Sequence, residues 1–355
     1  NDLVKYAASL AATPYVCLAT AASMDGYAAS GAALIDAGFK RTLACPAPVA
    51  ILADLDVLAA APVTMTGWGY GDLAGKVVAG ADWMLADALG AEPINPGPFS
   101  LVQDNLAAWL AHPQTLAAGD PLAFERLLCG LLVSGLAMQA HGNSRPASGS
   151  DHQFAHLWEM EGLSVAGEPA AHGACVGVGC VAMLALYEWL ATQPVEARAV
   201  AALEFDPAVA ASAQEREIAA AFSTTAMAES ARVEMAAKRD AGAWRSRLQR
   251  LAEAWPSLRA RLDDRLPAAR AMQAQLRALG APAHPADLGV ELAAFAADHR
   301  RARLIRRRYT VLDLVDDLGW LDRSLLALFS GNGFWGRQAD YRGCLGDPAR
   351  PHAVH

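Results

Sequence analysis

Four candidate metal ligands are spread over three separate segments of this chain: Asp72 in GYGDLAGK, His152 and His156 in SGSDHQFAHLWE, and His172 in HGACVGVG. Each segment reads as one end of a helix, so the ligands converge only if three helices pack around a shared cleft. One carboxylate with two imidazoles supplies three protein ligands to a divalent ion and leaves positions open for substrate, the pattern of a catalytic rather than a structural site. Against this, the chain has nine histidines, and a lone histidine is more often a surface or core residue than a ligand. His152 and His156 lie four apart and share one helical face. The residues between them, Gln153, Phe154 and Ala155, exclude the HExxH zinc-protease motif. Spacing leaves two arrangements open: both imidazoles on the metal, or one on the metal and the other, a turn away, facing the substrate.

A chain of 355 residues buries a sizeable core and forms one large domain or two. Hydrophobic residues make up 54% and charged ones 19%, with Ala far commoner than the β-branched residues, which favours a mainly helical protein. The net charge of −8 argues against a polyanion such as nucleic acid as partner. The basic cluster Arg300, Arg301, Arg303, Arg306, Arg307 and Arg308 reads as a solvated helix face or dimer contact in preference to a phosphate site. Six cysteines form no CxxC pair, as in a cytoplasmic protein with reduced thiols. No signal peptide is visible, and the most apolar stretch, 175–190, is short for a bilayer span and carries Glu188. A soluble cytoplasmic protein with no membrane span is the expectation.

The opening NDLVKYAASLAAT reads as a helix already under way, and it starts at Asn1 rather than Met, which suggests a chain cut at its N-terminus. Short apolar runs at 15–19 and 48–52 predict the last strands of a buried parallel sheet. Between them TAASMDGYAASGAAL suits a ligand through its hydroxyls and small residues, or is a plain connecting loop. The PVTMTGWGYG stretch breaks the pattern and places a boundary between an α/β part, 1–64, and a helical part, 65–355. Predicted helices follow: amphipathic 72–89 with Asp72 near its first turn, 121–140 in the core, one opened by Asp151 and His152, and one from His172 to near Ala191. Residues 195–310 read as bundle scaffold without site chemistry, 309–328 as apolar, and 331–355 as a frayed tail.

TAASMDGYAASGAAL, ADLDVLAAAP, GYGDLAGKVVAGADW, SRPASGSDHQFAHLWE and HGACVGVG together resemble the sn-glycerol-1-phosphate dehydrogenases, in particular their bacterial branch, within the dehydroquinate synthase and iron-containing alcohol dehydrogenase superfamily. The resemblance covers about residues 1–190 and, more weakly, RRRYTVLDLVDDLG. It implies a dehydroquinate synthase-like fold: an α/β remnant of the dinucleotide domain followed by a large all-α domain. It implies Asp72, His152 and His172 as ligands of one Zn2+ or Ni2+ per subunit, with Asp72, Asp25 and His156 touching substrate. Thr20, Ala21, Ala22 and Ser23 match a stretch lying against NAD(H) or NADP(H). Ala29 stands where the family has a cofactor-bonding Ser, with Ser30 adjacent. Asn1 and Asp2 follow the position of the family's Gly-rich turn, which approaches the pyrophosphate.

The implied reaction interconverts dihydroxyacetone phosphate and sn-glycerol 1-phosphate by hydride transfer. His156 is the candidate proton relay, and Lys76, four residues after Asp72, either pairs with the phosphate or the alkoxide or has a structural role. Arg145 offers bidentate phosphate geometry or a structural contact. A homodimer is expected on base rates. The rivals are a 3-dehydroquinate synthase, which has Glu as first ligand, another metal-dependent alcohol dehydrogenase, which commonly has His where Lys76 stands, and a non-catalytic helical scaffold.

Overall fold

The computed structural model describes residues 1–343 apart from Ala37, Ser223, Ala237, Arg239 and Asp240. Helix α1 (Asp2–Leu10) leads into β1 (Val16–Ala19), which pairs in parallel with β4 (Ala50–Ala53), Val16 opposite Ala50 and Ala19 opposite Ala53. The parallel pairing is as predicted, but the sheet is not buried on both faces. Among the described residues it has two strands, and Val16, Leu18 and Leu52 are exposed on one side. On the other side Ala19 packs with Tyr27, Leu58 and Leu128, with Cys17 and Ile51 against them.

The connection between these strands holds a feature that the sequence reading missed, an antiparallel hairpin of β2 (Ala32–Asp36) and β3 (Phe39–Leu43). Gly38, at φ 80°, makes its tight reversal. Small residues on β2 concealed it, because alternation in Ala-Ala-Leu-Ile-Asp is weak. Phe39 buries into the main core and Lys40 reaches across to Glu159.

Helix α2 (Val63–Ala88) corrects two expectations. The glycines of TGWGYGDLAG do not break the helix, so Asp72 lies well inside it rather than in its first turn. Nor is 72–89 amphipathic: nearly every residue of α2 from Thr66 to Ala86 is buried. Each helical glycine costs roughly 1 kcal/mol relative to Ala, and here that cost is offset by close packing that no side chain permits. A Cβ on Gly69 would stand 1.8 Å from the carbonyl oxygen of Ala22, and one on Gly71 2.4 Å from that of Gly173. Gly71→Ala is therefore expected to destabilise the protein by roughly 1–3 kcal/mol through overpacking, read from the urea midpoint, whereas Gly97→Ala, inside the helix Pro96–Gln103 with open space around it, is expected to leave stability unchanged or raise it by up to about 1 kcal/mol.

Three further helices complete the centre: α3 (Pro121–His141), α4 (Ser150–Met160) and α5 (His172–Ala191). Their limits match the sequence reading to within a residue or two. Asp120 caps α3 by accepting from the Ala123 amide, Pro121 fills its first position, and Gly142 closes it in the left-handed region. Helices α3 and α5 are long and apolar enough to cross a bilayer, but α5 is buried almost throughout and both pack in the core. Helix α5 lies against α2 and α4 along its length.

One buried carboxylate ties these elements together. Asp82 of α2 accepts from the amide and hydroxyl of Ser150 at 2.7 Å each, from the Tyr187 hydroxyl at 2.7 Å and from the Val311 amide at 2.9 Å. Tyr187 belongs to α5, and Val311 opens the next helix used here, α6 (Val311–Asp317). The C-terminal stretch as far as residue 343 is also packed, not frayed: Trp335 is fully buried between Phe295, Phe329 and Phe334. Residues 344–355, including Cys344, lie outside the described residues.

Candidate metal centre

Helices α2, α4 and α5 bring Asp72, His152 and His172 together, with ligand atoms all within 4.8 Å of one another. The two imidazoles are held in the orientation that metal binding needs. His152 Nδ1 pairs with the carboxylate of its neighbour Asp151, and His172 Nδ1 lies 2.7 Å from Glu159 Oε1. A carboxylate at Nδ1 fixes the proton there and leaves the Nε2 lone pair for a metal ion, the usual outer arrangement of ligating histidines. His152 Nε2 faces Asp72 Oδ1 at 3.4 Å. An N, N, O donor set with two preset imidazoles fits a divalent ion such as zinc or nickel.

The charges fit as well. Burial disfavours the ionised form of Asp72, but Lys76 and the imidazoles outweigh it and hold the carboxyl far below its ordinary range. Burial also opposes charge on His152, yet Asp151 and Asp72 carry its pKa up to about 9. The carboxylates around this pocket thus favour a cation, and an incoming metal ion displaces the proton from His152.

Lys76 is fully buried with Asp72 Oδ1 at 2.6 Å and Asp25 Oδ2 at 2.8 Å. The Asp25 amide donates to Asp72 Oδ2 at 2.8 Å, and Ser134 of α3 donates to Asp25 Oδ2 at 3.0 Å. Burial works against the ammonium, but the two carboxylates outweigh it and keep Lys76 charged well above its usual range. Lys76 therefore bridges Asp25 and Asp72, placing the SMDG loop on the metal pocket.

His156 stacks on His172 with ring centroids 5.8 Å apart, and its Nδ1 lies 3.4 Å from Arg306 Nη2. Burial, helped by the charge of Arg306, keeps it neutral with a pKa well below its ordinary value. Because Arg306 can only donate, Nδ1 accepts, and the ring proton sits on Nε2. His156, Glu159 and His172 form a second close group. In it Glu159 is already engaged by His172 and by Lys40 at 2.6 Å. Burial raises its carboxyl, but His172 and Lys40 bring it down to about 2.

The residues matched to the dinucleotide lie at the start of α1 and in the loop between β1 and β2. Ala21, Ala22 and Ala29 are buried, Ser23 is half-buried, and Thr20, Ser30 and Asn1 are exposed. Asn1 donates to the Gly26 carbonyl at 2.9 Å and Asp2 accepts from the Ala33 amide at 3.0 Å. The loop's shape depends on a residue that the sequence reading passed over. Lys5, 1% exposed, donates to the carbonyls of Gly26, Ala29 and Gly31 at 2.9–3.2 Å.

Arg145 is structural: it is wholly buried, donates to the carbonyls of Asp82 and Tyr309, and pairs with Glu92 at 3.3 Å. The arginine cluster is not a solvated helix face. Arg303 is 1% exposed and paired with Glu217 and Asp316, and 306–308 form a loop that, with Lys40, lines a cleft of about 1680 Å³. The three ligands do not line this cleft. It meets the site through Lys40 and Arg306, which touch Glu159 and His156. Residues 195–310, read as pure scaffold, thus supply Arg306 to the site. Asp151 and Glu159 were also missed, although the run Asp151, His152, His156, Glu159 places three of its four residues on one helical face.

The fold as a whole is similar to that of a dehydrogenase of known structure. The crystal structure of glycerol dehydrogenase from Schizosaccharomyces pombe superposes with a TM-score of 0.53 over 100% of this chain and 73% of that one, at 15% identity, a likeness of fold alone. The model of the family "Iron-containing alcohol dehydrogenase" matches residues 1–62. More particularly, the chain is similar to glycerol-1-phosphate dehydrogenase [NAD(P)+] of Bacillus subtilis, 40% identical over 191 residues, which are 54% of this chain and 48% of that protein. The Bacillus velezensis enzyme of the same name is 39% identical over the same shares. The chain spans about half the length of these curated relatives. The similarity to glycerol-1-phosphate dehydrogenases read from the motifs is borne out, and the fold is similar to that of the Schizosaccharomyces pombe glycerol dehydrogenase.

Proposed function

We propose that this protein is a metal-dependent NAD(P)H oxidoreductase that interconverts dihydroxyacetone phosphate and sn-glycerol 1-phosphate, with residues 1–64 serving the dinucleotide and 65–355 the metal and substrate. The observation that carries this reading is the convergence of Asp72, His152 and His172 within 4.8 Å, both imidazoles preset by carboxylates. The similarity to glycerol-1-phosphate dehydrogenases supports the substrate class. Asp72, His152 and His172 hold one Zn2+ or Ni2+, whose chemistry when bound is polarisation of the substrate's secondary oxygen. Thr20, Ala21, Ala22, Ser23 and Ala29 would hold the dinucleotide, with Asn1 and Asp2 towards its pyrophosphate, and the bound cofactor would supply or accept the hydride.

The chain's own groups do the rest. Asp25 and Asp72 orient the substrate's hydroxyls, with Lys76 pairing with both carboxylates and fixing their positions. His156, held neutral, donates a hydrogen bond from its Nε2–H to the substrate oxygen and so positions it, the proton taken up on reduction coming from solvent. Its low affinity for a second proton keeps it neutral through the physiological range. Lys76 contributes by fixing these charges rather than by exchanging protons itself. The enzyme acts in the cytoplasm as a homodimer.

The test is NAD(P)H consumption with dihydroxyacetone phosphate, using protein expressed from the complete gene, before and after chelation and with Zn2+ or Ni2+ returned. Metal-dependent formation of sn-glycerol 1-phosphate is the expected result. Metal bound at full occupancy with no turnover overturns the reading. His156→Ala is expected to lower kcat by roughly 10²–10⁴-fold with metal content unchanged.

A further inference from the structure

The cleft beside the metal pocket carries more positive charge than its own carboxylates neutralise. Its acids are already taken: Glu92 by Arg145, Glu229 by Arg232 and Glu234 by Arg307. Several of its cations are paired too, Lys40 with Glu159, Lys238 with Asp313 and Arg247 with Asp317. Arg306 and Arg308 are different. Among the described residues neither has a carboxylate within ion-pair distance. Arg306 meets His156 Nδ1 at 3.4 Å, and Arg308 donates to the Ser148 carbonyl at 2.6 Å and the Ser144 hydroxyl at 3.2 Å.

Arg306 and Arg308, two apart in sequence, are both half-buried and face one cleft, where an anion between them would be held by both charges. Burial lowers the affinity of both for their protons; Arg145 and then Arg306 oppose the charge on Arg308, while Glu234 and Glu159 support that on Arg306 from beyond ion-pair distance. The position also matters. Arg306 touches His156, which stacks on the metal ligand His172, so the charge lies one imidazole away from the metal pocket.

We infer that Arg306, supported by Arg308, forms an anion subsite that takes the phosphate monoester of the substrate, its guanidinium gripping the dianion while the carbon chain extends past His156 to the metal. This rests on the proposed reaction for the identity of the carbon chain, but not for the anion. The geometry suits the task, because arginine binds phosphate through parallel N–H donors. One guanidinium face of Arg306 then spans the phosphate and His156, so substrate binding and the orientation of the hydrogen-bond donor are coupled. In this arrangement the metal pocket selects the hydroxyketone and the arginine loop selects its phosphate.

The test is calorimetric titration of the metal-loaded full chain and its Arg306→Gln and Arg306→Lys variants with inorganic phosphate, dihydroxyacetone phosphate and dihydroxyacetone, with circular dichroism and melting to confirm folding. Arg306→Gln is expected to weaken phosphate and dihydroxyacetone phosphate by roughly 10–100-fold, to change dihydroxyacetone less than about twofold, and Arg306→Lys to fall between. Phosphate and dihydroxyacetone phosphate affinities in folded Arg306→Gln equal to those of the parent overturn the subsite. Arg306-dependent binding of phosphate with dihydroxyacetone phosphate no tighter than phosphate itself upholds the subsite and overturns the proposed substrate.

Discussion

Replacing Asp82 with Ala is expected to lower stability by about 3–5 kcal/mol, the range for breaking a buried charged network by removing one partner. Asp82 accepts four hydrogen bonds, from Ser150 twice, Tyr187 and Val311, and so joins α2 to α4, α5 and α6. The four bonds do not simply add. Burial raises the pKa of Asp82 above its ordinary value despite these donors and Arg145, so removing the carboxylate also removes a desolvation cost. What decides the sign is the donors left behind. The Ser150 and Val311 amides point into a dry site and cannot turn away, at roughly 1–3 kcal/mol for each buried group left without a partner. Asp82→Asn is expected to be almost as harmful, because its amide NH₂ must face one pair of donors. Urea unfolding of the two variants checks this. A loss under about 1 kcal/mol in Asp82→Ala would show that water enters and replaces the carboxylate.

The parts of the fold that were legible in the sequence are those where one local signal dominates. Pro121 after Asp120 with Gly142 at the far end bounded α3, and the apolar run after His172 bounded α5. Illegible parts are those where tertiary packing reverses a local rule. Glycines in α2 read as a break, yet they are present because Ala22 and Gly173 press their backbones against that helix. The same reversal hid the burial of Asp72. At the site, the ligand candidates were legible because carboxylate and imidazole are chemically distinctive. The partners that orient them were not, since Lys40, Glu159 and Arg306 come from a concealed hairpin, the far end of α4 and a loop that composition marked as scaffold. Sequence order gives no hint that residues 40 and 306 approach the same two imidazoles.

Asp72→Ala is expected to lower affinity for Zn2+ or Ni2+ by more than about 100-fold, beyond the 10- to 100-fold typical for loss of an outer partner. Asp72 is the carboxylate among the three proposed ligands, and without it two imidazoles remain to face the ion beside the buried ammonium of Lys76. The loss has two sources: one coordinate bond is gone, and Lys76 is left with Asp25 alone, so its charge is less well cancelled close to the metal. A comparison separates them. Asp72→Ala combined with Lys76→Met removes the repulsion as well as the ligand, and is expected to recover part of the affinity without reaching that of the parent. Glu159→Gln leaves all three ligands in place and weakens only the orientation of His172, so a loss of about 10–100-fold is expected there. Direct metal titration, read by calorimetry independently of turnover, ranks the three variants. If Asp72→Ala binds as tightly as the parent while Glu159→Gln does not, the ion belongs in the neighbouring group of His156, Glu159 and His172, and Asp72 serves only to anchor Lys76.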